Sequence, residues 1–267
     1  MEILVCVKRV PVVGGRIVVT PDGQDVDTRM SGFAISPHEE CAVEEAVRIT
    51  ERLGGTVTVL TLGPAEAEAQ LRDALALGAG RAVLLETAGR PTGAGRPGQQ
   101  SSEWGPMATA AAIAAEARRQ SGDGRAWDLL LFGNEAADTG GYQVGVRVAH
   151  ELGLPCATGI KELEVTEGTA RARREYQGSR EEFELPLPAV ITVKEGINLP
   201  RYPSLPGRLR AKRAEIERRE PAERPEGLRK LGLRVPAAGR QQAQVLGTGA
   251  EAVPALVDLL AELGVLP

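Results

Sequence analysis

The chain opens on MEILVCVKRV, in which Ile3 through Val7 are apolar without a break. So short and continuous a run fits a strand buried on both faces, and the pattern predicts one over Glu2–Val7. The next stretch, KRVPVVGGRIVVTPDG, carries turn signals at Gly14-Gly15 and Asp22-Gly23 around a short strand expected over Ile17–Thr20, a hairpin-like excursion. The period then changes. Ser36 precedes Pro37, and Glu39 completes an S-x-x-E capping box, so a helix is expected from Ser36 to about Leu53. Val43, Ala46, Val47 and Ile49 fall on one face of it.

The same grammar repeats along the chain. A strand is predicted over Thr56–Leu62, then a helix opened by Gly63-Pro64 whose Leu71, Ala74, Leu75 and Leu77 face inward, then a strand over Arg81–Glu86. Residues 88–106 are rich in Gly, Pro and Ser and read as a loop. A helix over Met107–Arg119, a strand over Trp127–Phe132, a helix over Gly140–Leu152 and a strand after Pro155 continue the alternation. Strands and helices alternating in this way imply an α/β fold with a doubly wound, mainly parallel sheet. From Lys161 the pattern alternates with turns at Glu167-Gly168 and Gln177-Gly178, which predicts an antiparallel edge through Val193. Past Arg213 the chain is charged and broken by prolines, and it ends in an apolar helix expected over Ala250–Leu263. The domain reading is therefore 1–213 as the α/β domain and 214–267 as a C-terminal arm.

Composition narrows the function classes. Apolar residues make up 42% and charged residues 25% of the 267, which excludes a disordered chain. No apolar run approaches the roughly 18 residues of a membrane span. An acid at position 2 and an opening apolar run too short for a signal peptide point to a cytoplasmic protein. Cys6, Cys41 and Cys156 are far apart and the only histidines are His38 and His150, so no disulfide framework and no metal site is expected. With a net charge of −4 and only three Phe, three Tyr and two Trp, a nucleic-acid platform is not supported. No G-x-S-x-G elbow, paired cysteines or P-loop lysine supplies a catalytic set.

Two stretches invite chemistry. FGNEAADTGGYQVG, Phe132–Gly145, follows a buried strand and opens a helix, where backbone N–H groups and the helix dipole favour an anion such as phosphate. It is neither a G-x-G-x-x-G fingerprint nor a Walker loop, and an ordinary turn between strand and helix is the alternative. Cys6 reads as a packed small hydrophobe, and His38 lies in a first helical turn at the expected ligand end of the sheet. The other stretch is LPRYPSLPGRLRAKR, Leu199–Arg213, with prolines at 200, 203 and 206 and no acid. Stiffened by proline, Leu205 fits an anchor for a partner, with the flanking cations steering an acidic surface. The alternatives are a solvated linker or a grip on a polyanion.

Taken together, VKRV at 7–10, SPHEECAVEEAVRI at 36–49, LGPAEAEAQLRDALALGAGRAVLL at 62–85, GNEAADTGGYQVG at 133–145 and LPAVITVKEGINLPRYPSLPGRLRAKR at 187–213 resemble the beta subunit family of electron transfer flavoprotein, which includes nitrogen-fixation-associated relatives. The resemblance implies a Rossmann-like, adenine-nucleotide-binding fold and an electron carrier, not an enzyme. It implies a heterodimer with an alpha subunit that holds most of an interfacial FAD. Electrons would come from flavin dehydrogenases such as the acyl-CoA dehydrogenases of fatty acid beta-oxidation and pass to a quinone reductase. AMP is implied as a structural ligand, on Cys6, Ser36, Pro37, His38, Glu39, Leu62 and the run Gly133, Asn134, Glu135, Ala136, Ala137, Asp138, Thr139, Gly140, Gly141, Tyr142, Gln143 and Val144. A recognition loop over 197–213 is implied, with Tyr202, Pro203, Ser204 and Pro206 around an inserting Leu205, and an arm packed on the alpha subunit.

This chain departs from the family where Asn-Pro-Phe is replaced by Ser36-Pro37-His38 and where Val13 replaces an aromatic near the flavin, which makes His38 a candidate donor to the flavin. Asp138 and Gln143 are also shared with electron-bifurcating members that bind a second FAD in place of AMP. That is the alternative to AMP, and a stand-alone nucleotide-binding enzyme is a further one.

Overall fold

The computed structural model describes residues 1–12, 14, 17–87, 104–124, 126–222, 230–236 and 244–266. Val13, Gly15, residues 88–103 of the glycine-rich loop, and 223–229 and 237–243 of the tail lie outside the described residues. The chain runs through β1 (Glu2–Cys6), a two-stranded antiparallel ribbon of β2 (Val10–Pro11) and β3 (Phe33–Ala34), and α1 (Pro37–Leu53). It continues with β4 (Thr56–Gly63), α2 (Glu68–Leu77), β5 (Arg81–Glu86), α3 (Pro106–Gly122), β6 (Leu129–Gly133), α4 (Val144–Leu152) and β7 (Cys156–Ile160). After β8 (Glu162–Thr166), β9 (Thr169–Tyr176) and β10 (Ser179–Pro186) come β11 (Ala189–Val193), α5 (Leu205–Arg213), β12 (Glu217–Arg219) and α6 (Val253–Glu262).

Seven strands form one parallel sheet in the order β12-β5-β4-β1-β6-β11-β7. Each central strand is apolar on both faces because helices cover both. Ile3, Val5, Val57, Val59, Leu129 and Leu131 pack with α1 and α2. Leu4, Leu60, Leu130 and Phe132 pack with α3 and α4. Each such side chain removed from water contributes about 1.5–3 kcal/mol, which is why uninterrupted apolar runs mark these strands.

Four expectations are refined. The antiparallel strands exist but form their own sheet, β10-β9-β8, tied to the last strand of the large sheet by Lys161 N–H donating to Arg173 O at 2.9 Å. Within the stretch read as antiparallel, Ala189–Val193 instead returns as a parallel strand between β6 and β7, all five of its residues buried. AVITV has no alternation, the mark of a strand covered on both sides. The helix expected from Gly140 starts at Val144, because Gly140 takes φ 61° and the bridge between Ala136 and Gly141 closes a turn first. Around Ile17–Thr20 there is a single bridge, Val19 to Val26, instead of a strand.

Of the arm, β12 joins the large sheet beside β5. Residues 230–236 lie on the 20s turn, where Leu233 N–H donates to Gly23 O at 2.7 Å and Lys230 meets Asp25 at 3.0 Å. None of the residues of α6 is buried, and Val253, Leu256 and Val257 are exposed. Among the described residues no helix is long and apolar enough to cross a membrane.

Candidate functional site

From β1 the chain steps outward through β4 to β5, and then crosses back to place β6 on the other side of β1. The strand order reverses there, and the crevice at the carboxyl ends of the strands is where such sheets take ligands. A cavity of about 280 Å³ occupies that position, just under the usual size of ligand pockets. Its floor is Cys6, Leu60, Leu62, Ile113 and Phe132, and its rim carries Lys8, Glu39, Asn134, Glu135, Tyr142 and Gln143.

Two helix starts close on it. α1 enters through Glu39, held by the Ser36/Glu39 capping box, one arm of which is Ser36 N–H donating to Glu39 Oε2 at 3.3 Å. A Cβ on Gly133 would stand 2.7 Å from Glu39 Cγ and 3.2 Å from Glu39 N, so the glycine is what lets α1 approach β6. α4 enters through Val144 and Gly145, with no side chain capping its first N–H groups. A Cβ on Gly145 would sit 2.7 Å from Thr192 Cγ2. Thr192 in turn donates to Asn134 Oδ1 at 2.8 Å, which fixes the side chain beside the loop.

Eleven of the residues expected at this site line the cavity: Cys6, Glu39, Leu62, Gly133, Asn134, Glu135, Ala136, Gly141, Tyr142, Gln143 and Val144. Ser36, Pro37, His38, Ala137, Asp138, Thr139 and Gly140 do not. Ser36 is buried as the helix cap, and His38 Nδ1 accepts Glu195 N–H at 3.3 Å. Asp138 reaches Lys8 across the mouth at 2.7 Å, and Ala137, Thr139 and Gly140 form the turn behind it. Unforeseen contributors include Lys8, Thr87, Trp104, Thr109, Ile113 and Thr192. Lys8 lies within VKRV after β1; the others reach the cavity from β11, from the end of β5 and from α3 and the residues before it, where no local motif marks them.

Burial pushes the Cys6 thiol far above its usual range, with the Glu39 carboxylate adding to the effect, so it stays a neutral packing group. Burial also pushes the Glu39 carboxyl up to about 7, against the opposing N–H groups of Lys8 and Ser36.

The basic stretch is half loop and half helix. Ser204 caps α5, accepting Gly207 N–H at 3.1 Å, and Pro206 sits in the first turn, where its missing N–H costs nothing. Leu205 thus begins a helix with its side chain exposed, and Tyr202 beside it is 95% exposed. The loop before it is stapled to α1. Arg201 Nε and Nη2 reach Glu44 at 2.9 and 3.3 Å, and Nη1 and Nη2 reach Glu51 at 2.6 and 2.9 Å. Asn198 Nδ2 donates to Cys41 O at 3.0 Å and to Glu45 at 2.9 Å. Burial raises the Glu44 carboxyl, but hydrogen bonds from Arg201 and Arg48 outweigh it and hold the group below the usual carboxylate range.

Known proteins place this arrangement in a lineage. The family model described as electron transfer flavoprotein domain matches residues 26–224. Electron transfer flavoprotein subunit beta of Bacillus subtilis (strain 168) is 38% identical over 188 residues, covering 70% of this chain and 67% of that protein. The subunit beta of Mus musculus is 34% identical over 218 residues, 81% of this chain and 80% of the relative. That of Thermoanaerobacterium thermosaccharolyticum is 32% identical over 210 residues, 78% and 73% of the two chains. With a family model spanning residues 26–224 and relatives 32–38% identical over 70–81% of its length, the chain belongs to the electron transfer flavoprotein beta-subunit family.

Proposed function

We propose that this chain is the beta half of a heterodimeric electron carrier that holds AMP in the cavity at the β1/β6 crevice. An alpha subunit would hold most of an interfacial FAD, flavin dehydrogenases of the acyl-CoA dehydrogenase type would donate electrons, and a quinone reductase would receive them. The observation that carries this reading is the cavity itself. Its apolar floor suits the face of a purine, and the first N–H groups of α4 lack side-chain caps and suit a phosphate. Lys8 lies at the rim, with its charge shared with Asp138 at 2.7 Å.

The FAD supplies the redox chemistry when bound. This chain's own residues bind and orient: Cys6, Leu60 and Leu62 exclude water from the base, and Gly133 and Gly145 let two helix starts close on the ligand. The exposed apolar residues of α6 offer the surface that the alpha subunit would cover. Co-expression with an alpha subunit is expected to yield a yellow heterodimer releasing one FAD and one AMP on extraction. Two FAD would identify the bifurcating alternative, and a colourless complex would refute the reading.

The donor would dock on Leu205. Its side chain is 72% exposed yet begins a capped helix on a stapled loop, so little freedom is lost when it enters a pocket. Leu205→Ala is expected to weaken dehydrogenase docking by about 1–2 kcal/mol, roughly tenfold in KM for the donor, with AMP content and Tm unchanged. If the loop acts through charge alone, that substitution changes nothing, whereas raised salt abolishes docking.

A further inference from the structure

Beyond its part in the capping box of α1, Glu39 brings a buried carboxyl to a cavity whose floor is apolar. It is 7% exposed, lines the cavity, and lies so near the Gly133 backbone that a Cβ there would stand 2.7 Å from its Cγ. Its hydrogen bonds come from the backbone N–H groups of Lys8 and Ser36 and from the Ser36 side chain; the Lys8 ammonium acts on it as well but makes its direct ion pair with Asp138 at 2.7 Å, and burial outweighs all of these.

Besides Lys8, which it shares with Asp138, the titratable groups around it offer it no cation. Cys6 on β1 is a neutral thiol, and β4 presents Leu60 and Leu62. The β6–α4 loop presents Asp138, already paired, and Glu135, which accepts the Tyr142 hydroxyl at 2.6 Å. On its own helix His38 is directed to Glu195 N–H.

We infer that the cavity takes its anionic nucleotide together with one proton, held on Glu39, so that the complex contains a neutral acid at this position. The inference rests on the nucleotide reading above. A buried carboxylate and a phosphate dianion in one small cavity repel each other, and the carboxyl relieves this by accepting a proton from solvent. Without ligand the carboxyl titrates at about 7, which leaves it half charged near neutrality and ready to be shifted. Because the bound form is protonated, affinity is full below that value and is lost as pH rises through it, by about tenfold between pH 6 and pH 8.

The test is calorimetric titration of AMP into the nucleotide-stripped heterodimer of the full chain and its alpha subunit, at pH 6 to 8, in two buffers of different ionisation heat. At pH 8, uptake approaching one proton per AMP is expected, and in Glu39→Gln almost none. The ratio of wild-type to E39Q affinity, which cancels the titration of the AMP phosphate itself, is expected to fall about tenfold from pH 6 to pH 8. Wild-type binding without proton uptake, or equal uptake in E39Q, overturns the inference and leaves the nucleotide reading standing. No AMP binding at any pH overturns both.

Discussion

Gly133→Val is expected to destabilise the fold by about 3 kcal/mol and to empty the cavity of nucleotide. The physical cause is a contact between backbone segments, not the glycine's conformational freedom. An added Cβ would lie 2.7 Å from Glu39 Cγ, 3.2 Å from Glu39 N and 3.2 Å from His38 Cβ. The Glu39 side chain cannot simply swing aside, because the helix backbone stands directly behind it. The start of α1 must therefore lift from β6, and with it goes one wall of the cavity. Thermal melting is expected to drop by roughly 6–12 °C, and extracted nucleotide to fall below a tenth of the wild-type content. Gly141→Ala is the control. Gly141 also lines the cavity, but its nearest neighbour to an added Cβ is Thr139 Oγ1 at 3.5 Å, an ordinary contact. A Gly133→Val protein that melts like wild type would show that α1 and β6 do not close on each other as described.

The second large effect is expected at Arg201, a residue far from the cavity. Its guanidinium spans Glu44 and Glu51, and the Glu44 side chain is 2% exposed. Arg201→Ala leaves Glu44 with Arg48 as its remaining cation and releases Glu51 to solvent. Breaking a buried pair typically costs 3–5 kcal/mol, and since Arg201 itself is half-buried the expected loss is nearer 2–3 kcal/mol.

The charge state gives the pH signature. Both carboxyls are held below their usual range: for Glu44 burial is opposed and outweighed by Arg201 and Arg48, and for Glu51 the hydrogen bond from Arg201 is the largest cause. Their contribution is therefore fully present above the ordinary carboxylate range and is lost as pH falls through their depressed values. Denaturant midpoints of wild type and Arg201→Ala are expected to differ clearly at pH 7 and to converge as pH falls below about 4. A gap that persists under acid conditions would mean that Arg201 acts by packing and not by charge. Dehydrogenase docking is expected to weaken as well, because the same contacts hold the segment that presents Leu205. Arg201→Lys is expected to recover only part of both losses, since an ammonium cannot span two carboxylates in the manner of a guanidinium.

Much of the fold was legible because it rests on local patterns. The run Ile3–Val7, the Ser36-Pro37 helix start and the glycine-ended helices each carry their signal within a few residues. The failures share a cause. Leu187–Val193 follows directly on the alternating segment and is predicted with it, although AVITV lacks alternation; its place between β6 and β7 depends on strands about sixty and thirty residues earlier. Ser204 and Pro206 carry helix-start signals like those of Ser36 and Pro37, but three prolines within seven residues give the same stretch the pattern of a stiff loop.

For the site, the sequence by itself determined that Phe132–Gly145 follows a buried strand and opens a helix, and that Leu205 is an apolar residue in a basic, proline-limited setting. Only the tertiary structure decided that Glu39 reaches the cavity while His38 next to it does not, since on a helix successive side chains lie about 100° apart and packing of α1 on β6 chooses between them. The structure alone also brought in Trp104, Ile113 and Thr192, and joined Arg201 to Glu44 across 157 residues of chain. Capping and burial are decided by near neighbours and by hydrophobic spacing, which a sequence carries openly. Which side chains meet across a sheet is decided by strand order and helix rotation, and these are settled only when the whole core packs.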